Sequence, residues 1–220
     1  MGTPQMNNSH IRFNRKVVPR PPEPIAVAVS GGADSMAALD FLRSHPGREI
    51  LVLHMNHGTP FADKAQNLVE SYCSKYDIPV TVGLLDKEVG PGRSKEDFWR
   101  ENRYEFFEAN RGQRKVVTCH HLGDAVENWV FTSMHGNPAL IPEVRGPYIR
   151  PFLHTEKSSF LDWCERKGVP FIEDPSNTDT SYMRNYIRHE IMPKVLQVNP
   201  GIKKTVRKLM DKQFKQLEGQ

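Results

Sequence analysis

The 220-residue chain carries 30 lysines and arginines against 26 acidic residues, a net charge of +4, and 38% of its residues are hydrophobic. These values are typical of a globular domain and exclude a low-complexity or strongly acidic chain. No apolar run of about 18 residues is present, and residues 1–14 lack the apolar stretch of a secretory signal, so we expect no membrane span and a cytoplasmic protein.

The three cysteines, Cys73, Cys119 and Cys164, are odd in number and form no CxxC pair. This pattern argues against a disulfide framework or a zinc ribbon. We therefore expect each to be a small buried residue.

Apolar runs alternate with amphipathic stretches along the first two thirds of the chain. Strands are predicted at residues 25–29, 50–54, 79–85 and 115–119, with helices at 35–43, 62–76, 95–109 and 124–134. Repeated β-α units predict an α/β fold, a parallel sheet with helices on both faces. Ligands of such sheets lie beyond the carboxyl ends of the strands, which places residues 30–35, 54–57 and 119–124 along one edge.

Composition divides the chain into three parts. Residues 1–23 are basic and proline-rich and are predicted to be a mobile lead-in, and residues 24–150 form the α/β domain. Residues 151–220 are predicted to be a small helical appendage, with helices at 155–167 and 182–195 separated by a polar loop at 173–180, and a basic helix after Pro200.

The loop after the first predicted strand has the sequence SGGADS, residues 30–35. Gly31 and Gly32 permit dihedral angles closed to other residues and leave the backbone amides open to a ligand. The following helix directs its positive end at the same place, so this turn predicts a phosphate-binding loop. The pattern GxxxxGK[ST] is absent, which excludes a Walker A loop.

SGGADS resembles the signature of the PP-loop ATP pyrophosphatases, which cleave ATP between its α and β phosphates. Further blocks resemble one branch of them, the tRNA(Ile)-lysidine synthetases, in a short form lacking the extra C-terminal domains. The blocks are HMNHG at 54–58, RENRYEFF at 100–107, HHLGDAVEN at 120–128, RPFL at 150–153 and EDPSNTDTSYMRNYIRHEIMP at 173–193. The resemblance implies a Rossmann-like PP-loop fold and a ligase that uses ATP to adenylate the C2 oxygen of the wobble cytidine, which free L-lysine then attacks.

ATP and Mg²⁺ are the implied cofactors. The resemblance implies ATP contacts from Ser30, Gly31, Gly32, Ala33, Asp34, Ser35, His54 and Asn56. A carboxylate at Asp34 suits Mg²⁺ held against phosphates, and its structural alternative is a helix N-cap.

Two further groups are catalytic candidates. Arg100 and Arg103 share a predicted helix face and suit phosphate oxygens, with a surface salt-bridge face as the alternative. His120, Asp124 and Glu127 are spaced to share one face, and the two carboxylates suit the lysine ammonium. A second metal site or compensation of the helix dipole by Asp124 are the alternatives.

The aromatic residues near the arginine block are expected to belong to the core rather than to stack on substrate. These are Phe98, Trp99, Tyr104, Phe106 and Phe107.

RNA or phosphate contacts are implied for the C-terminal part of the chain. The candidates are Arg184, Asn185 and Arg188, which share a predicted helix surface, and Lys203 and Lys204 in the last basic helix. A structural clamp between appendage and sheet, and a solvated basic face, are the respective alternatives. The implied partners are L-lysine and a tRNA(Ile) with a CAU anticodon, with a homodimer as one means of sharing tRNA recognition.

The sequence departs from the family pattern in two places. Gly123, Ala125 and Asn128 stand where the family usually has an acid, a glutamine and a threonine, and residues 134–138 replace an RGSG-like loop. These departures concern lysine and phosphate contacts. Two other functions therefore stay open: a PP-loop enzyme acting on another base or amine, including sulfur transfer through Cys119, and an inactive RNA-binding homologue.

Overall fold

A mixed sheet of six strands forms the centre of the computed structural model, which describes residues 10–85, 89–90, 92 and 94–218. The strands are β1 (Ile25–Ala28), β2 (Ile50–Asn56), β3 (Val80–Leu84), β4 (Lys115–Val117), β5 (Val144–Arg145) and β6 (Tyr148–Ile149). Their order across the sheet is β3-β2-β1-β4-β6-β5, and all neighbours pair in parallel except β5 with β6. The predicted parallel sheet is confirmed.

Helices connect and cover the strands. The α-helices are α1 (Ala33–Arg43), α2 (Pro60–Lys75), α3 (Lys95–Asn110), α4 (Leu122–Met134), α5 (Lys157–Lys167), α6 (Met183–Tyr186), α7 (Met192–Val198) and α8 (Ile202–Glu218). A 3₁₀ turn lies at Pro175–Thr178, and a π-helical turn, Ile187–Ile191, joins α6 to α7.

The two faces of the sheet belong to two hydrophobic clusters. Ile25 and Val27 of β1 pack in one cluster with residues of α1, α2 and α5, whereas Ala26 packs in another with Phe107 of α3. This alternation follows from the period of two along a strand, and full burial of β1 explains its continuous apolar sequence. Helices therefore cover both faces, as predicted.

A third cluster joins α4 to the C-terminal helices. Val206 and Met210 of α8 are buried against it together with Leu122 and Val126 of α4 and Ile187 of the π-helical turn. The helical appendage is thus attached to the α/β domain through α4 as well as through the packing of α5 on α1.

Three predictions of local structure were incomplete. The hairpin of β5 and β6 was not predicted, because each strand is only two residues long. The polar loop predicted at residues 173–180 contains a 3₁₀ turn, and residues 182–195 form α6, the π-helical turn and the start of α7 in place of one continuous helix.

The prediction of a mobile lead-in was wrong for its described part. Val17 and Val18 are buried in the core, and the ring of Phe13 lies 5.4 Å from that of Phe152. The backbone N–H of Arg12 donates to Thr155 Oγ1 at 3.0 Å, and that of Asn14 donates to the Pro151 carbonyl at 2.9 Å. This segment is therefore a strap on the core, while residues 1–9 lie outside the described residues.

Among the described residues, none of the helices combines the length and the apolar character that crossing a membrane requires.

Candidate active site

A cleft of about 820 Å³ lies beyond the carboxyl ends of β1, β2 and β4. Most of the predicted site residues line it: Ser30, Gly32, Asp34, Ser35, Arg100, Arg103, His120, Asp124, Glu127, Arg184, Asn185 and Arg188. Residues from six separate segments of the chain thus meet at the edge of the sheet that the β-α pattern predicted.

The loop between β1 and α1 is held by its own serines. The backbone N–H of Ser30 donates to Ser35 Oγ at 3.1 Å, and Ser35 Oγ donates to the Gly32 carbonyl at 3.0 Å. Gly31 has a φ of +88°, and a Cβ there would lie 3.2 Å from Ala65 Cβ, so both conformation and space require glycine. Gly32 is the N-cap of α1 and offers no side chain to cap it, which leaves the first amides of α1 for an anion.

Asp34 lies in the first turn of α1. Its Oδ1 is buried without a hydrogen-bond partner among the described residues, and its Oδ2 lies 3.7 Å from His121 Nε2. Burial raises the pKa of this carboxyl, partly offset by His121. An unpaired, partly buried carboxylate oxygen beside an anion site fits Mg²⁺, which takes its other ligands from phosphate and water. The described residues include no group of three or more His, Cys, Asp or Glu side chains able to hold a metal.

The start of α4 differs from the predicted face of three residues. Helix α4 begins at Leu122 with His121 as N-cap, so His120 precedes the helix, and only Asp124 and Glu127 share a helical face. His120 nonetheless reaches the cleft, where burial lowers its pKa to about 4. Sequence reasoning missed His121, whose ring would clash with any Cβ at residue 123, at 2.6 Å from Cε1. A side chain at residue 123 would displace the His121 ring from its capping position.

Asp124 completes a capping box with His121. The backbone N–H of Asp124 donates to His121 Nδ1 at 3.2 Å, and that of His121 donates to Asp124 Oδ2 at 2.9 Å. Burial alone would raise the Asp124 pKa, but the neighbouring histidines, this hydrogen bond and Arg188 outweigh it and lower the pKa. Asp124 is therefore ionised at neutral pH, and the structural role foreseen for it is present.

Arg188 spans the two acids of α4. Its Nε and Nη2 each donate to a different oxygen of Glu127 at 2.9 Å, and Nη2 also donates to Asp124 Oδ1 at 3.1 Å. This bidentate ion pair has the geometry that guanidinium and carboxylate groups prefer. Arg188 thus joins the π-helical turn to α4, which is the clamp that the sequence left open, and it contacts carboxylates rather than a phosphate. The acid pair already holds one cation.

Three other guanidinium groups lie near one another and form an arginine wall of the cleft. Arg100 and Arg103 of α3 and Arg184 of α6 all line the cleft. Burial lowers the pKa of Arg103, and the positive charges of Arg184 and Arg100 lower it further. Mutually repelling cations in a cleft are stabilised by an anion, so this wall suits phosphate oxygens.

His54 and Asn56 do not line the cleft. His54 Nδ1 lies 2.8 Å from the Val29 carbonyl, and the side-chain amide of Asn56 donates to Asp63 Oδ1 and Gln66 Oε1. Alternate residues of a strand face opposite sides, so Met55 and His57 reach the cleft instead. Gly31 and Ala33 likewise contribute backbone to the loop but do not line the cleft.

The remaining RNA candidates are mostly engaged within the protein. The side-chain amide of Asn185 donates to the carbonyls of Ser176 and Asp179, which holds the 3₁₀ turn. Lys203 Nζ donates to Glu156 Oε2 at 2.8 Å, whereas the neighbouring Lys204 is exposed.

The aromatic residues of α3 divide between core and cleft. Phe98 and Phe107 are buried, and Tyr104 and Phe106 pack beside Phe107, as expected. Trp99, however, lines the cleft, and Tyr182 does so from the segment before α6. Trp99 directly precedes the candidate site residue Arg100 in the sequence. This adjacency was the signal that could have placed Trp99 at the cleft.

A parallel sheet with a glycine loop, an uncapped helix N-terminus and a carboxylate at its carboxyl edge defines a nucleotide-binding α/β protein. A family model described as PP-loop domain matches residues 5–195. The chain belongs to the PP-loop domain family.

More particular likenesses come from individual proteins. A tRNA(Ile)-lysidine synthase of Thermotoga sp. (strain RQ2) is 33% identical over 202 residues, which cover 86% of this chain and 49% of the relative. That of Geobacter sulfurreducens is 34% identical over 198 residues, covering 83% of this chain and 42% of the relative. The chain thus spans about half the length of the curated relatives it matches.

Among solved structures, the U34-tRNA thiolase NcsA from Methanococcus maripaludis superimposes with a TM-score of 0.70 at 14% identity. The match covers 93% of this chain and 75% of that protein. At this identity the likeness concerns the fold.

Proposed function

We propose that this chain is a tRNA-modifying ligase that joins L-lysine to the wobble cytidine of a CAU-anticodon tRNA(Ile) at the expense of ATP. One observation carries the proposal: a single cleft holds an anion site beside Asp34 together with a cation-holding acid pair, Asp124 and Glu127. The similarity to proteins named tRNA(Ile)-lysidine synthase supports the choice of substrates.

At the anion site, the loop between β1 and α1 and the start of α1 would hold the phosphates of ATP. The uncapped amides of α1 bind phosphate oxygens, and Asp34 would hold Mg²⁺, which neutralises charge on the pyrophosphate leaving group. Arg100 and Arg103 face the same space and bind the departing pyrophosphate. In this step the C2 oxygen of cytidine attacks the α phosphorus, and the bond to pyrophosphate breaks.

The acid pair, Asp124 and Glu127, would position the ε-amine of the lysine substrate. Glu127 and Asp124 already accept hydrogen bonds from a guanidinium, so the site suits the similarly charged lysine ammonium. The amine must lose a proton to attack C2, and these carboxylates, with neutral His120 nearby, can accept its hydrogen bonds and its proton. AMP leaves as the C–N bond forms.

The geometry disfavours Cys119 as a sulfur carrier. Its thiol lines the cleft, but burial and the charges of Asp34 and Asp124 raise its pKa. A sulfur-transfer nucleophile needs a thiolate, which this environment opposes.

Labelling with lysine tests the proposal directly. Purified chain is incubated with a CAU-anticodon tRNA(Ile) transcript, ATP, Mg²⁺ and radiolabelled lysine, and the nucleosides are identified by mass spectrometry. A matched transcript with a GAU anticodon is the control. We expect label at the wobble cytidine of the first transcript and none in the second. Bound tRNA without a labelled nucleoside would refute the proposal.

A further inference from the structure

Three aromatic side chains from separate parts of the chain form a row at the cleft, which we call the rim stack: His57, Trp99 and Tyr182. The ring centroids of His57 and Trp99 lie 5.3 Å apart at an interplanar angle of 32°, and those of Trp99 and Tyr182 lie 6.1 Å apart at 29°. All three line the cleft. The row therefore joins the end of β2, helix α3 and the segment before α6.

The rim stack differs from the aromatic packing of the core. Ring pairs inside the protein cross at larger angles, such as 41° for Phe13 with Phe152 and 71° for Phe152 with Phe160. The two pairs of the rim stack are closer to parallel, and Trp99 and Tyr182 are only partly buried. A partly exposed row of near-parallel rings can be extended by one more flat ring, which is how nucleobases stack on aromatic side chains.

The surroundings add the other features of a single-strand site. Arg100 and Arg184 are exposed beside Trp99 and Tyr182, and both line the same cleft. Met183 follows Tyr182 and is 53% exposed. Exposed cations beside flat apolar groups bind a nucleic-acid backbone and its bases together.

His57 contributes a neutral ring to this row. Burial and the charge of Arg103 lower its pKa to about 4, so the imidazole is uncharged at neutral pH. Its Nδ1 has no hydrogen-bond partner among the described residues. The ring therefore acts as an aromatic surface with an unused polar edge.

We propose that the rim stack is a platform for an unpaired nucleobase of an RNA substrate at the mouth of the cleft. The inference rests on the proposed function in that it takes RNA as the substrate. Stacking is tolerant of base identity, so the platform would hold an anticodon-loop base while the wobble cytidine enters the cleft. Phosphates of the same strand would lie near Arg100 and Arg184.

Binding of two RNA probes tests the platform. The full chain is titrated against a labelled RNA hairpin with CAU in its loop and against a fully paired RNA duplex of equal length. We expect Trp99→Ala and Tyr182→Ala to weaken hairpin binding about tenfold. Duplex binding stays unchanged in both variants, and Trp99→Phe retains most of the hairpin affinity because it keeps a flat ring.

Tyr186→Ala is the matched control. Tyr186 lies one helical turn after Tyr182 and is 46% exposed, but it does not line the cleft. Its removal should leave hairpin binding unchanged. Urea unfolding of every variant checks that the fold is retained.

Three results would overturn the inference: unchanged hairpin affinity in Trp99→Ala, an equal loss for hairpin and duplex, or a loss confined to ATP binding. The lysine-labelling assay separates this inference from the proposed function. Wild-type chain that binds the hairpin through Trp99 yet transfers no lysine refutes the function and keeps the platform. Lysine transfer by the wild-type chain, together with unchanged hairpin affinity in Trp99→Ala, keeps the function and refutes the platform.

Discussion

Three properties of Asp34 lower the stability of the folded protein. Its carboxyl is partly buried, one oxygen lacks a partner among the described residues, and its pKa is raised by burial. A raised pKa means that the folded protein binds the proton more tightly than the unfolded chain, so stability falls as pH rises through that pKa. At neutral pH the ionised Asp34 therefore destabilises the fold, which is common for groups kept for chemistry.

Replacing Asp34 by asparagine separates the two effects. We expect Asp34→Asn to lower ATP-dependent pyrophosphate release at least about 100-fold, because the ligand for Mg²⁺ is lost. The midpoint of thermal unfolding at pH 7 should equal or exceed that of the wild type, because a buried charge is removed. Pyrophosphate release and calorimetry measure the two. Full turnover in the variant would contradict the role of Asp34.

Glu127 is expected to act on lysine rather than on ATP. In Glu127→Gln the side chain keeps its shape but loses its charge, so the KM for lysine should rise about tenfold or more. The KM for ATP should change little. Steady-state kinetics with each substrate varied in turn give both values, and an unchanged KM for lysine would exclude the assignment.

Among the elements, the π-helical turn is held to α4 by the ion pairs of Arg188 and by the packing of Ile187. Arg188 bridges Glu127 and Asp124 across 61 and 64 residues of sequence, and its side chain is 31% exposed. Removing one partner of such a pair leaves the other charges unpaired. The turn and its neighbours α6 and α7 should therefore loosen first when this contact is lost.

We expect Arg188→Met to lower the free energy of unfolding by about 2 kcal/mol, between the roughly 0–1 kcal/mol of exposed ion pairs and the roughly 3–5 kcal/mol of buried ones. The control is Arg184→Met, four residues earlier, where the side chain is exposed. It removes the same charge with little effect on stability. Urea titrations compare the two, and equal losses would argue against the clamp.

The sequence predicted elements better than it predicted which way side chains face. Every α/β repeat was placed correctly to within a few residues, because the spacing of apolar residues and the glycine-containing turns are local features of the sequence. His54 and Asn56, for which the resemblance implied ATP contacts, make hydrogen bonds within the protein, because alternate residues of β2 face opposite sides and Met55 and His57 line the cleft. The position of Arg188 opposite the acids of α4 depends on tertiary packing. The sequence therefore showed a residue type suited to a clamp but not its partners.

For the whole molecule, the uneven distribution of charge bears on how RNA is held. Helix α8 carries Lys203 and Arg207 towards Glu156, at 2.8 and 3.1 Å, whereas Lys204 and Lys208 are exposed. The same helix thus has one basic side engaged in packing and another available to solvent. Whether two copies of the chain share a tRNA stays a prediction.

Two double charge reversals distinguish these sides. Lys204→Glu with Lys208→Glu should weaken tRNA binding and reduce its salt slope by about 2, because two phosphate contacts are lost. Lys203→Glu with Arg207→Glu should mainly lower stability, because each new acid faces Glu156. Filter binding at several salt concentrations and thermal unfolding measure both. An unchanged salt slope in the first variant would remove α8 from RNA recognition.

The strap of residues before β1 bears on how the chain folds during synthesis. Thr155 Oγ1 accepts from the backbone N–H of Arg12 and donates to its carbonyl, so the strap closes on a site 143 residues further along the chain. Until that site has been made, Val17 and Val18 lack part of their apolar cover. Pairings so distant in sequence form slowly. The strap is made before β1 and is therefore among the last segments to reach its final place. That side of the nascent sheet stays uncovered until the first helix of the appendage has been made.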